Sequence, residues 1–196
     1  TLPLYASGSA SVGWWAMLIT MLGIMTAFVS LVFSYFFYWT LHDDFPPESS
    51  PGAGAFWPVV AGVLVLGAWA LTILARSSNR ADRGGRFYAE LSMAVGLALA
   101  GAVALVAGPW TSALDPTSHA HAATVWILVI WVAVIVAVGS ILQIYCIARR
   151  LARRMTARHD IDIGNTVLYW HFAALMALIA IAVVAGFPLL ARIEAP

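Results

Sequence analysis

The sequence predicts an all-α fold, an integral membrane bundle of five transmembrane helices in which residues 1–196 form a single membrane domain. Three observations predict it. The chain is 62% hydrophobic and only 10% charged. A soluble domain of this size has too little interior to hide so much apolar surface, so its solvent is lipid. Five stretches are apolar over the roughly 20 residues that a membrane-crossing helix needs. The segments between them alternate in the sign of their charge, which is the pattern left by repeated crossing.

The first span, 13–41, opens on Trp14 and Trp15 and closes on Tyr38 and Trp39. Within it Thr26, Ser30 and Ser34 recur every four residues and share a face, with Thr20 nearby. Such hydroxyls bond the backbone or a neighbouring helix in preference to lining a pore. The second span, 55–75, carries Trp57 near its start, and the third, 89–110, ends on Trp110. The third is rich in small residues over 94–108, as is 133–139 in the fourth, and small residues let helices approach closely in lipid. The fourth span, 122–148, holds the single cysteine, Cys146, read as a small buried apolar residue; one cysteine excludes an internal disulfide. The fifth, 166–192, begins with Tyr169-Trp170-His171-Phe172. Aromatic rings at span ends, Tyr169 and Trp170 among them, favour the headgroup layer. The first and fourth spans exceed the minimum length and are expected to tilt or to extend past the lipid.

All ten basic residues are arginines. One cluster is Arg76, Arg80, Arg83 and Arg86; the other is Arg149, Arg150, Arg153, Arg154 and Arg158. The remaining two connections carry Asp43, Asp44 and Glu48, and Asp115, with no arginine. The positive-inside rule then places the arginine loops and the N-terminus in the cytoplasm and the C-terminus in the periplasm. Connections of roughly 10–17 residues leave no room for a soluble domain between helices. Beyond topology, Arg76, Arg80, Arg153 and Arg154 are candidate contacts to phospholipid headgroups or to a neighbouring subunit. The opening residues lack a basic segment and do not look like a signal peptide.

Membrane enzymes and pumps carry ionisable groups within their spans. Here the spans offer only His171, about a turn inside the fifth, and Glu90, near the start of the third. A proton relay across this chain alone would have no stations. His119 and His121 open the fourth span at the opposite level from His171, so the three cannot share one metal or haem. His159 sits among arginines in a wet loop. His42, His119 and His121, beside Asp43, Asp44 and Asp115, could approach one another and bind zinc or copper; a wet polar rim is the preferred reading. No nucleotide loop, nucleophile elbow or metalloprotease helix occurs. No metal, catalytic or cofactor-binding residue is therefore assigned to this chain, and no nucleic-acid partner is expected.

Three groups of residues carry a family resemblance. Tyr169-Trp170-His171-Phe172 resembles the final helix of cytochrome c oxidase subunit III. His119-Ala120-His121, opening a long apolar helix, looks like the family's paired-histidine helix. Phe33-Ser34-Tyr35-Phe36-Phe37-Tyr38-Trp39, with His42 just beyond, is similar to the end of its third helix. The order and spacing of all five spans agree, so the resemblance covers nearly the whole chain. It also has departures. Where the family's third helix usually carries a buried glutamate, this chain has Thr26-Ala27-Phe28-Val29-Ser30; where an aspartate commonly follows the last motif, it has Ala173 and Ala174. The histidine pair is spaced by one residue rather than two. The family's full form has seven spans, and five-span versions occur in some bacterial oxidases, including ones with fused subunits I and III; an initial Thr1 is compatible with the tail of such a fusion.

The resemblance implies a non-catalytic subunit of a bacterial haem–copper terminal oxidase in the inner membrane. Its partners would be oxidase subunits I and II and membrane phospholipid, with haem and copper in the partner subunits and none in this chain. The complex would be an oxidoreductase, with this chain supporting sustained proton-coupled electron transfer to oxygen. Tyr169, Trp170 and His171 would fix the inner end of the last helix, and His119 and His121 would make structural contacts. A partner of a quinol oxidase or nitric oxide reductase is one rival; a small five-span transporter or membrane enzyme is another.

Overall fold

The computed structural model describes residues 11–42, 45, 47 and 52–194, with only the backbone described for 192–194. All regular structure among these residues is helical: α1 (Val12–Leu41), α2 (Phe56–Arg80), α3 (Gly84–Thr111), α4 (Ala120–Leu151) and α5 (Ile161–Ile181). A π-helical turn (Ala182–Gly186) then leads into α6 (Phe187–Glu194). Pro188 accounts for the widened turn. It has no N–H to offer the carbonyl of Val184, and its ring crowds that carbonyl, so the ladder shifts register before resuming. Five helical stretches are long and apolar enough to cross a membrane, the last running through the π turn to Ala191. The protein is a multi-pass membrane protein.

The helices outrun the spans expected from hydropathy at the arginine-bearing end. The α2–α3 connection is Ala81–Arg83 alone, and α4 and α5 are joined by 152–160. Arginine, serine and asparagine prolong these helices because they form helix well enough where a neighbour packs against them. Each turn is closed by a residue other than glycine in the left-handed region, Asp82 (φ 52°) and Arg153 (φ 56°). Both act as helix C-terminal caps, with Arg83 N–H donating to Ser78 O and Arg154 N–H to Arg149 O.

In the bundle α2 packs along α3, α3 along α4, and α4 and α5 against each other, while α5 also packs on α2. The α2–α3 contact uses the small residues. A Cβ on Gly101 would lie 2.9 Å from Val65 Cγ2, so glycine alone permits this approach. In the α4–α5 contact the Trp170 indole lies on Gly139, where a Cβ would meet two ring carbons at 3.0 Å. The helix α1 is peripheral. It touches α4 and α5 through one narrow seam, Met21, Phe28, Tyr35 and Tyr38, whose first three members recur every seven residues. Three of its hydroxyls turn inward on their own helix: Thr20, Thr26 and Ser30 donate to the carbonyls of Ala16, Leu22 and Thr26 at 2.9 Å. They line no pore.

Two expectations need correction. Tyr169 and Trp170 do not sit at a span end in the headgroup layer. α5 begins at Ile161, so they lie more than two turns inside it and are buried, at 2% and 0% exposure. His171 is accordingly about three turns in.

Glycine at 139 is the tightest constraint on α4 and α5. Gly139→Val is expected to lower stability by about 1–3 kcal/mol through overpacking against Trp170. Gly23→Ala, with open space around its Cβ, is expected to be close to neutral. Thermal midpoints of the detergent-solubilised chain check both, and equal midpoints would refute the packing.

Candidate functional site

Polar and charged side chains gather at three levels of the bundle. The first is the arginine-bearing end, where the two basic turns interlock. Arg80 Nε donates to Asp160 Oδ2 at 2.7 Å, and Arg76 Nε lies 3.6 Å from the same oxygen. Asp160 is only 5% exposed, so α2 grips the residue that precedes α5. Arg149 Nε donates to Asp162 Oδ2 at 3.0 Å. Arg150 lies over the Phe87 ring, 5.0 Å from its centroid, and donates to Asn79 Oδ1 and to Asp82 Oδ1, the latter at 3.1 Å. Glu90 is closed off locally: Arg86 Nε donates to one oxygen at 2.7 Å and Ser78 Oγ to the other at 2.6 Å.

This sorts the arginines that the sequence treats alike. Arg76 and Arg80 are structural clamps on Asp160. Arg153 and Arg154, with Arg83 and Arg158, are exposed and hold no ion pair among the described residues. This second set has no carboxylate partner among the described residues to compete with phosphate oxygens or an acidic partner.

The second level lies inside the helices and centres on the aromatic-histidine motif. Tyr169 Oη donates to the Ile135 carbonyl at 2.9 Å and Trp170 Nε1 to the Gly139 carbonyl at 3.2 Å. Both bonds reach carbonyls of α4 one turn apart. His171, one residue on, is rotated about 100° from Trp170 and emerges on the outer face beside α2. There its Nδ1 accepts the Trp69 indole N–H at 2.8 Å. A crevice of about 230 Å³ runs from Asp160 and Arg76 past Asn165 to His171, walled by Trp14 and Leu168.

Sequence reasoning did not find Trp69, Asp160 or the interior pair Gln143–Thr72. Gln143 Nε2 donates to Thr72 Oγ1 at 2.8 Å, and Thr72 in turn donates to Ala68 O. Cys146 is buried and sits 3.2 Å from Thr166 Oγ1. The available signal was the spacing of Ser140, Gln143 and Cys146, which puts three polar or polarisable groups on one buried face of an apolar helix.

The third level is the histidine-bearing end. The Tyr38 hydroxyl is hydrogen-bonded to the His119 ring, 3.1 Å from Nδ1, and His42 Nδ1–H donates to the Tyr38 carbonyl at 3.0 Å. His119 caps α4 by accepting from His121 N–H. His121 is not part of a wet rim, which corrects that expectation. It is 1% exposed and lies 5.2–6.1 Å from the rings of Phe45, Tyr35 and Tyr38. Asp115 is taken up by its own turn: Thr117 donates to it from backbone N–H and hydroxyl, each at 2.8 Å, which holds this exposed carboxyl below the ordinary range. Among the described residues no three histidine, cysteine or carboxylate side chains are placed to hold a metal. Asp43, Asp44 and Glu48 lie outside the described residues. His159 is exposed and bonds only within its loop, to Thr156.

No protein-family model matches the chain, and no curated protein matches it closely enough to count as a relative.

The split among the arginines is testable. Asp160→Asn is expected to cost about 1–3 kcal/mol, because it removes a buried charged acceptor and leaves two guanidinium groups facing each other. Arg153→Ala and Arg154→Ala should each stay within about 0.5 kcal/mol, as exposed unpaired residues do. Thermal unfolding in detergent reads the difference, and equal effects from the two sets would overturn the assignment.

Proposed function

We propose that the chain is a subunit III-like, non-catalytic component of a bacterial haem–copper terminal oxidase. In this reading it sits in the inner membrane with its arginine-bearing end in the cytoplasm. It packs beside the catalytic subunit I and subunit II, holds phospholipid through Arg153 and Arg154, and supports sustained proton-coupled turnover. Haem and copper belong to the partner subunits. The family resemblance of the motif residues, in their order along five helices, supports the oxidase assignment. The non-catalytic part rests on how the motif is bonded. Tyr169 and Trp170 spend their only polar groups on carbonyls of α4, and His171 takes the Trp69 indole N–H. Two of the three polar motif residues are thus consumed in helix packing, and Glu90 is consumed by Arg86 and Ser78.

Purification from native membranes in mild detergent tests the assignment. The expected result is co-purification with a haem-containing polypeptide in constant ratio. A stable, haem-free preparation with an activity of its own would defeat it. A second test concerns turnover. His171→Ala is expected to leave the initial oxidase rate within about two-fold, a change worth under 0.5 kcal/mol in the barrier, while inactivation during turnover becomes faster. Complete loss of the initial rate in a fully assembled complex would mean that His171 takes part in the chemistry.

A further inference from the structure

The outer face of the spanning helices is apolar almost throughout, and His171 interrupts it. On α5, Leu175 and Leu178 follow at helical spacing from His171 and are 54% and 43% exposed. His171 itself is exposed. Because Nδ1 accepts the Trp69 indole N–H, the ring proton of the neutral imidazole sits on Nε2. The indole stands edge-on to the imidazole, ring centroids 5.7 Å apart, and fixes its orientation. The structure therefore holds a directed N–H donor on the lateral face, with no acceptor for it within the described chain.

Depth decides what can meet that donor. Along α5 His171 lies about 16 Å of helix rise beyond Asp160, the residue that Arg76 and Arg80 clamp, and about 10 Å beyond Gly164, against which the Arg76 guanidinium lies. The headgroup layer on one side of a bilayer is only about 6 Å deep, so a lipid headgroup beside Arg76 keeps its phosphate oxygens short of His171. Hydrocarbon offers no acceptor at all, and an unmet N–H there is costly. The crevice that ends at His171 also admits Arg76, whose Nε makes no hydrogen bond but is ion-paired with Asp160 at 3.6 Å. For the His171 donor a carboxylate is the strongest acceptor, because a charged partner strengthens the hydrogen bond.

We propose that Trp69 and His171 form the polar anchor of an interface with another membrane protein. His171 Nε2–H donates to an oxygen, a carboxylate above all, on a membrane-spanning helix of that partner, and the helix lies along α5 against Leu175 and Leu178. Trp69 acts as a positioning residue that sets the direction of the donor. This rests on the reading of the chain as one subunit of a larger complex and names the face it uses.

The test places the photoreactive residue benzoylphenylalanine at Leu175 in the full chain in its native membrane, with Val103 on α3, 70% exposed, as the control position. Illumination is expected to join the Leu175 probe to one co-purifying polypeptide and the Val103 probe to none. His171→Phe and Trp69→Phe should each lower that yield at least about five-fold, the effect of one net hydrogen bond. His171→Gln, which keeps an N–H donor and an acceptor for Trp69, should retain it. Adducts to lipid alone, or a yield that both phenylalanine variants leave unchanged, would overturn the proposal. Capture with the same dependence on His171 in a complex that contains no haem would leave this interface standing and remove the oxidase reading. A haem-bearing polypeptide captured equally with and without His171 would do the reverse.

Discussion

The contact between Trp170 and Gly139 sets the geometry on which the rest of this bundle depends. A flat indole can lie on α4 only where no Cβ intervenes, and its N–H then reaches the Gly139 carbonyl. Tyr169 adds a second tie to the same strip of α4, at Ile135. Two ties from adjacent residues fix the rotation of α5 about its axis as well as its distance. Successive side chains on a helix diverge by about 100°, so with Tyr169 and Trp170 turned inward His171 has to turn outward. Trp69 is where that rotation delivers it. The direction of the one ionisable group deep in α5 is thus a consequence of a glycine on a different helix.

A second set of constraints acts at the arginine-bearing end. Short turns bring α2–α3 and α4–α5 together, and four carboxylates, Asp82, Glu90, Asp160 and Asp162, are met by arginines there. Isolated exposed ion pairs add little, but Asp160 is buried and shared by two guanidinium groups, so its loss is felt through the charges it leaves behind. The positive-inside pattern counts arginines without regard to pairing. In the folded chain Arg83, Arg153, Arg154 and Arg158 are exposed without a carboxylate partner among the described residues.

The five-helix architecture was legible because it follows from hydropathy alone, and lipid leaves few alternatives to the helix. The ends of the helices were less legible. Hydropathy falls at Arg76 and Arg149, whereas the helices continue where Asp160 meets Arg76 and Arg80, Asp162 meets Arg149, and Asn79 and Asp82 meet Arg150. That pairing is long-range and leaves no local trace. The same limit explains Tyr169 and Trp170. Aromatic residues near an apparent span end fit the headgroup layer, but moving the start of α5 back to Ile161 carries them into the core. His121 followed the same course, drawn out of the rim into a cage of Tyr35, Tyr38 and Phe45.

The distribution of polarity gives the remaining step. In a water-soluble protein large apolar side chains hide and polar ones face out. Here Phe33, Val103 and Trp110 are 67%, 70% and 74% exposed, while Thr72, Asn79 and Gln143 are fully buried. The interior polar groups bond between elements, Gln143 on α4 to Thr72 on α2 and Asn79 on α2 to the Thr156 carbonyl in the α4–α5 connection, and so act as glue where apolar burial supplies no drive. Against that background an exposed apolar residue carries no information, since lipid covers it at no cost. An exposed polar residue does carry information. The hydroxyls of Thr20, Thr26 and Ser30 are exposed too, but each is satisfied by its own helix. His171 differs because Trp69 satisfies one nitrogen and thereby commits the other to pointing away. That outward-facing donor is the observation from which a partner on this face is proposed.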